Sequence, residues 1–251
     1  MSPLEAALIL AAGAVAGTMN TVVGSGSLIT FPTLLAFGYP ALVANVSNTV
    51  GLFPGTVSGS IGYRRELTGQ LPRALVLGAS ALIGSLCGGL LLLALPPASF
   101  ERVVPYLILV ACGLVAFQGR LSVWLARHRG DSAHRPSALL VLGIFTTGVY
   151  GGYFGAAQGV ILIALLGILV TDDLQRLNAL KNALTAIVSG IAALLFIVAG
   201  PVAWGPALLL AVGAVFGGQI GAVLARRLPP ELLRVVIVVV GLLVAARLLI
   251  A

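Results

Sequence analysis

Long apolar runs, separated by short polar stretches, occupy almost the whole sequence. The runs are rich in Leu, Ala, Val and Ile and do not alternate with polar residues, which favours helices over the strands of a membrane barrel. Ten such segments can be marked, and the pattern predicts a helix in each. They are Leu4 to Val23, Ser27 to Phe37, Ala41 to Tyr63, Leu71 to Leu95, Phe100 to Phe117, Ser137 to Phe154, Val160 to Val170, Leu177 to Ala199, Trp204 to Leu224 and Leu232 to Ile250.

Eight of these segments are long enough to cross a bilayer, whereas the second and the seventh are short. A span needs about 20 apolar residues, but the short segments have about a dozen, or roughly 18 Å of helix. Each follows a glycine-rich break, GTMNTVVGSGS from Gly17 and GVYGGYFGAAQG from Gly148. Whether the short segments cross the membrane or re-enter it stays open at this point.

The two halves of the chain carry the same landmarks at a nearly constant offset. Gly24 matches Gly155 and Asn48 matches Asn182. The other matches are Gly17 with Gly148, Gly84 with Gly217, Gly88 with Gly221, and Pro96 and Pro97 with Pro229 and Pro230. Because five segments per repeat is an odd number, the second copy is expected to be inverted in the membrane. We predict membrane repeats over residues 1–119 and 137–251, joined by a linker over residues 120–136.

Composition excludes a soluble globular domain and indicates an integral membrane protein. The 251 residues are 59% hydrophobic and 8% charged, whereas soluble domains are about 25% charged. With the N-terminus outside and Leu4 to Val23 as a retained first span, the linker is cytoplasmic and most basic residues fall inside. They are Arg64, Arg65, Arg73, Arg120, Arg127, Arg129, Arg135, Arg176, Lys181, Arg226, Arg227 and Arg234. The net charge of +7 therefore reflects membrane orientation, and we do not expect a nucleic-acid partner.

The two glycine-rich breaks are the candidate ligand site. Irregular backbone at membrane depth is stable only where protein buries it or where it lines a cavity, and the helices that start there offer N–H groups to an anion. The candidate binding residues are Asn20, Gly24, Ser25, Gly26, Ser27, Asn48, Tyr153, Gly155, Gln158, Lys181 and Asn182. The alternative for the amides is hydrogen bonding between helices. The alternative for Lys181 is a side chain that snorkels to the membrane interface.

Other reactive side chains have no spacing that indicates catalysis or metal binding. They are Cys87 and Cys112, His128 and His134, and Asp172 and Asp173. We interpret the cysteines as packing residues, the histidines as solvated linker residues and the aspartates as helix caps. The sequence therefore predicts neither an enzyme nor a cofactor or metal site.

Three stretches resemble the TauE/SafE family of sulfite and organosulfonate transport proteins, also called the TSUP permeases. They are NTVVGSGSLITFPTLLAFG from Asn20, GVYGGYFGAAQG from Gly148 and NALKNAL from Asn178. The resemblance extends over essentially the whole chain. It departs from the family pattern at Ser25 and Ser27, where glycines are frequent, and at Ala157 and Gln158, which interrupt the second glycine run.

The resemblance implies a multi-pass protein of the bacterial inner membrane that moves small sulfur-containing anions such as sulfite or sulfonates. We expect a secondary transporter whose two breaks face each other at the membrane midplane and bind the anion. An anion channel and a non-transporting membrane partner or maturation subunit are the alternatives. The anion, the direction of transport, coupling to protons or sodium, and a homo-oligomeric state stay open.

Overall fold

The computed structural model describes residues 1–127 and 137–224 and, near the C-terminus, residues 235, 238, 239, 241–246 and 248. At residues 119–127 and 224 it describes the backbone alone. Within these ranges the regular secondary structure is helical. The helices are α1 Pro3–Val22, α2 Ser27–Ala36, α3 Ala41–Gly62, α4 Leu71–Ala94, α5 Pro97–Arg127, α6 Ala138–Tyr153, α7 Gln158–Leu169, α8 Leu174–Ala199 and α9 Trp204–Leu224.

The first nine predicted segments each correspond to one helix, including the short second and seventh segments. Most ends agree within three residues, but α5 continues to Arg127. It does so because the stretch RLSVWLAR after Gly119 contains no Gly or Pro to stop the helix. The first residues of the predicted linker are therefore helical. The rest of the linker, with His128 and His134, and about half of the tenth segment lie outside the described residues.

Five of the described helices are long and apolar enough to cross a membrane. They are Pro3–Val22, Leu71–Ala94, Pro97–Gln118, Leu174–Ala199 and Trp204–Val223. Helix α3 has a comparable length but carries many Asn, Ser and Thr side chains. Several membrane-length apolar helices in one chain make this a multi-pass helical membrane protein.

Helices from the two halves interlock instead of forming separate bundles. Helix α1 packs along α9, and α4 packs along α6. The central helices α3 and α8 pack on each other, α3 also packs on α9, and α8 also packs on α4. Each helix of the first half has a counterpart five places later in the chain, so α1 corresponds to α6, α3 to α8 and α4 to α9. Under this correspondence the contact of α1 with α9 matches that of α6 with α4, and the contact of α3 with α9 matches that of α8 with α4. The principal helix contacts therefore occur in matching pairs, as do the landmarks of the sequence.

Helix α1 meets α9 and helix α4 meets α6 along two long contacts between the halves, which we call the glycine seams. Both depend on glycines. On α1, a Cβ atom at Gly13 would lie 2.7 Å from the carbonyl oxygen of Leu210 and 2.9 Å from its Cα. On α4, a Cβ at Gly84 would lie 3.0 Å from the backbone nitrogen of Val149 on α6. Small residues let helix backbones approach closely where the surrounding lipid provides little hydrophobic driving force. Side chains at these positions would push the two halves apart.

An ionic network joins the segments that follow α3 and α7. Asp172 accepts hydrogen bonds from Arg176 Nε at 2.7 Å and from Arg73 Nη1 at 3.1 Å. Arg176 also donates to the carbonyl of Thr68 at 3.1 Å. Asp173 accepts a backbone N–H of the first turn of α8 at 2.9 Å, which confirms it as a helix cap. Asp172, also interpreted as a cap, mainly pairs with the two arginines.

The surroundings of Asp172 lower the pKa of its carboxyl group. Partial burial by itself would raise this pKa, but the N–H of Asp173 and the guanidinium groups of Arg176 and Arg73 stabilise the ionised form and outweigh it. A carboxyl whose pKa is lower in the folded state stabilises the protein above its unfolded pKa. That contribution disappears as the pH falls through the folded value.

We predict that Gly13→Ala lowers the thermal unfolding temperature of the detergent-solubilised protein, because the new methyl group meets the backbone of α9. The expected loss is about 1–3 kcal/mol, as for other overpacking substitutions. Gly113→Ala is the matched control, since a Cβ at that helical glycine meets nothing within 4 Å. Equal melting temperatures for the two variants would contradict the seam contact.

We predict that Asp172→Asn lowers stability by about 1 kcal/mol at neutral pH and that its difference from the wild type disappears in acid. The loss of the difference should occur below the ordinary carboxyl pKa of 3.8, because the folded pKa is lowered. Thermal unfolding measured over a pH series tests this. Asp173→Asn is the control, since Asn caps a helix about as well as Asp. A difference at Asp172 that persists in the most acidic samples would rule out the ion pair as its cause.

Candidate functional site

The two glycine-rich breaks end the preceding helix with the same turn, although the next helix starts from Gly26 at φ −58° in the first and from Ala157 at φ +58° in the second. Gly24 and Gly155 have φ values of +88° and +76°, a left-handed conformation that glycine adopts without steric cost. In each break, the N–H of the glycine and that of the preceding residue both donate to one carbonyl, that of Met19 in the first and that of Tyr150 in the second. Both breaks therefore end a helix with a left-handed glycine.

The two breaks are in direct contact with each other. The N–H of Gly159 donates to the carbonyl of Gly24 at 3.1 Å. A Cβ on Gly24 would lie 2.5 Å from the Cα of Gly159, and the reverse substitution would collide in the same way. The contact satisfies a backbone donor at the start of α7 with a backbone acceptor at the end of α1. Neither position has room for a side chain.

A small polar cavity lies at this contact. Its volume is about 20 Å³, enough for about one water molecule. The residues that line it come from both breaks and from the central helices α3 and α8. They are Asn20, Gly24, Ser27, Thr49, Leu52, Gly151, Phe154, Gly155, Gln158, Gly159, Thr185 and Ser189.

Two buried donors in the cavity wall have no hydrogen-bond partner within the described structure. They are Nε2 of Gln158 and Oγ1 of Thr185, on residues that are 3% and 8% exposed. An unpaired buried donor costs about 1–3 kcal/mol, so these groups gain from any acceptor that enters the cavity. The described wall carries no carboxylate, and an anion would meet donors without charge repulsion.

Five of the predicted site residues line the cavity: Asn20, Gly24, Ser27, Gly155 and Gln158. Asn20 Oδ1 also accepts the N–H of Gly26 at 2.7 Å. The N–H of Gly26, which the sequence analysis assigned to an anion, is thus already hydrogen-bonded in this structure. The N–H of Gly159 is hydrogen-bonded as well. Backbone groups at the helix starts satisfy one another and the nearby amide because they are buried away from water.

Ser25, Asn48 and Tyr153 lie near the breaks but do not line the cavity. The Ser25 hydroxyl is buried without a partner in the described part of the chain. Asn48 Oδ1 accepts a hydrogen bond from the Thr30 hydroxyl, which is the helix-to-helix contact weighed above as an alternative. Tyr153 contributes its carbonyl to Asn45 Nδ2 at 3.0 Å, and its ring packs on a neighbouring aromatic residue. A direct role of these three in binding stays a prediction.

Lys181 and Asn182 converge on the last turn of α1. Lys181 is 1% exposed, and its Nζ donates to the carbonyl of Thr21 at 3.1 Å. Asn182 Nδ2 approaches the same carbonyl at 3.4 Å. Carbonyls at a helix C-terminus carry partial negative charge and attract a cation. Since Lys181 is buried inside the protein, the alternative of a snorkelling interfacial lysine does not hold.

The sequence analysis missed Thr185 and Ser189. Lys181, Thr185 and Ser189 are spaced by four residues, so they follow one face of α8, and this face reaches the cavity. The spacing was visible in the sequence, but Thr and Ser are also common in membrane helices as packing residues. Only the contact between the breaks indicates which helix face lines the cavity.

The described residues contain no cluster of the side chains that usually bind transition metals. Groups of three or more His, Cys, Asp or Glu side chains that could hold a metal do not occur among them. The chemistry available at the cavity is therefore hydrogen bonding from amide and hydroxyl groups, with one buried amine nearby.

Comparison with known proteins identifies the family. The family profile described as "Sulfite exporter TauE/SafE" matches residues 9–248. A probable membrane transporter protein of Haemophilus influenzae is 24% identical, over 96% of this chain and 93% of its own length. YfcA of Escherichia coli K12, also named a probable membrane transporter protein, is 27% identical, over 99% of this chain and 91% of its own length.

A third relative comes from Sinorhizobium and carries the same description. It is 28% identical, over 97% of this chain and 92% of its own length. The matches extend over nearly the complete length of each partner, so they include both breaks and all described helices. The protein is a membrane transporter and belongs to the TauE/SafE family.

Proposed function

We propose that this protein is a secondary transporter of small oxyanions, with sulfite and sulfonates as the first candidates, and that it binds them between the two breaks. The observation that carries the proposal is the cavity at the contact of Gly24 with Gly159, with its unpartnered donors on Gln158 and Thr185. The name of the matching family, sulfite exporter, supports a sulfur oxyanion as the substrate.

The chemistry of the cavity favours an anion over a cation or a neutral ligand. Amide and hydroxyl donors can bond to the oxygens of a sulfite or sulfonate group, and hydrogen bonds to a charged acceptor are about twice as strong as neutral ones. The amine of Lys181 is one helical turn from Thr185. It supplies positive charge close to the cavity without being part of the described wall.

The cavity is too small to hold such an anion together with water. An anion therefore enters only when the contact between Gly24 and Gly159 opens. We propose that residues 1–119 and 137–251 form inverted repeats that rock against each other to open the cavity to either side in turn. The matching helix contacts and the left-handed glycine that ends a helix in each break support this arrangement.

The loop contacts agree with the grouping of loops that the charge pattern assigns to each side of the membrane. The network of Arg73, Asp172 and Arg176 brings together the segments after α3 and α7, both of which the charge pattern assigns to the cytoplasm. The segment between α2 and α3 approaches the start of α1 through Tyr39 and Glu5. Both of these are assigned to the outside.

Transport can be tested with purified protein in proteoliposomes. Uptake of radiolabelled sulfite, thiosulfate, methanesulfonate and acetate should show saturable flux for at least one sulfur anion. Indifference to all four would remove the anion proposal. Flux that rises linearly with concentration and never saturates would indicate a channel in place of a carrier.

We predict that Thr185→Val raises the KM for the transported anion about tenfold or more. The substitution preserves the shape of the side chain but removes a hydroxyl whose bond to an anion is worth about 1.5–3 kcal/mol. Thr146→Val is the matched control, because that hydroxyl bonds only to carbonyls of its own helix at 3.0 and 3.1 Å on an exposed face. Unchanged KM at Thr185, with the control also unchanged, would exclude its hydroxyl from the site.

A further inference from the structure

Lys181 is a buried amine without a counter-ion in the described part of the protein. Its Nζ bonds to the carbonyl of Thr21, whereas an ammonium group has three hydrogens to donate. The ion pairs among the described residues both involve Asp172, which pairs with Arg73 and Arg176. A buried charge with so little compensation is costly. The protonated form of Lys181 therefore needs an additional negative partner.

The elements around α8 do not provide that partner. Helix α7 and the described part of α9 contain no ionisable side chain, and α6 contributes only the phenols Tyr150 and Tyr153. The other ionisable groups on or next to the surrounding elements are Glu5, Tyr63, Arg64, Arg65, Glu66, Arg73, Cys87, Asp172, Asp173 and Arg176. Asp173 caps the first turn of α8, where it accepts the N–H of Gln175. Glu5 lies in the first turn of α1 and Thr21 in its last. Asp172 is engaged by two arginines.

The cavity lies close enough for its contents to act on Lys181. Thr185, one turn further along the same face of α8, lines the cavity, at a helical rise of roughly 6 Å from Lys181. Asn20, next to Thr21, lines it as well. Lys181 is one turn closer than Thr185 to the start of α8, which follows the segment that carries Asp172. It therefore lies on the side of the cavity that faces the predicted cytoplasm.

We propose that Lys181 is the proton-binding group that couples anion transport to proton movement. The inference rests on the proposed function above. When an anion occupies the cavity, the lone pair of Nζ takes up one proton and the resulting ammonium group balances the negative charge. When the anion leaves, the same N–H bond breaks and the proton goes to water. The anion and the proton then cross together.

Two substitutions separate the steps of this cycle. Arginine is always protonated in proteins, so Lys181→Arg should still bind the anion and exchange it, but it should not release a proton. Lys181→Met carries no charge and should bind the anion poorly. Arg102→Gln serves as the control, because Arg102 is an exposed basic residue in the first turns of α5.

The experiment uses proteoliposomes with the membrane potential clamped and a pH difference imposed. Radiolabelled methanesulfonate is the first probe, because it carries no proton of its own near neutral pH, and radiolabelled sulfite is the second. With one proton per anion, a pH difference of one unit should drive about tenfold accumulation in the wild type and in Arg102→Gln. Lys181→Arg should reach only equal concentrations while it still exchanges labelled for unlabelled anion. An internal pH dye should record one proton for each anion moved by the wild type.

The possible results separate the two proposals. If the wild type moves no anion under any condition, the proposed function fails. If it moves an anion without moving protons, or if Lys181→Arg accumulates anion as the wild type does, the coupling role of Lys181 fails and transport stands. If Lys181→Arg elutes as an aggregate in size-exclusion chromatography, the wild-type proton measurement still tests the coupling, and the weak anion binding expected of Lys181→Met tests the residue.

Discussion

The backbone contact between Gly24 and Gly159 is the constraint on which the rest of the structure depends. Each glycine belongs to a break in a helix, and groups at such breaks cannot be left unpaired at membrane depth. Here the first break supplies a carbonyl and the second an N–H, at 3.1 Å. This pairing requires a residue without a side chain at both positions. The glycine seams between α1 and α9 and between α4 and α6 allow the close approach that brings them together.

The two breaks share a left-handed glycine turn but use their long amide side chains in opposite directions. In the first, Asn20 on α1 reaches forward and accepts the N–H at the start of α2. In the second, Gly151 occupies the equivalent place on α6, and Gln158 from α7 lies against it instead. The oxygen of the Asn20 amide is therefore hydrogen-bonded, whereas Nε2 of Gln158 has no partner in the described structure. The cavity is therefore chemically asymmetric although its framework is repeated, and its free donors come from the second half.

The same asymmetry extends to the central helices. Asn48 on α3 bonds to Thr30 of its own half, whereas Lys181 and Asn182 on α8 reach across to α1. The buried amine thus occurs on one side of the contact only. The two halves therefore present different groups to the contact between the breaks.

The sequence by itself determined the helices, since apolar periodicity, segment length and glycine or proline breaks are local properties of the chain. It predicted nine of nine described helices, including the short α2 and α7, and it identified both breaks as the candidate site. It also selected Asn20, Gly24, Ser27, Gly155 and Gln158, all of which line the cavity.

Only the tertiary structure decided which groups are available to a ligand. It showed that the N–H groups of Gly26 and Gly159 are already bonded, that Lys181 is fully buried on the carbonyl of Thr21, and that Thr185 faces the cavity. The physical reason is that hydrogen-bond satisfaction depends on partners far apart in the chain, such as Gly24 and Gly159. The residue types along one segment show what each group can donate or accept, but not which distant group it is already hydrogen-bonded to.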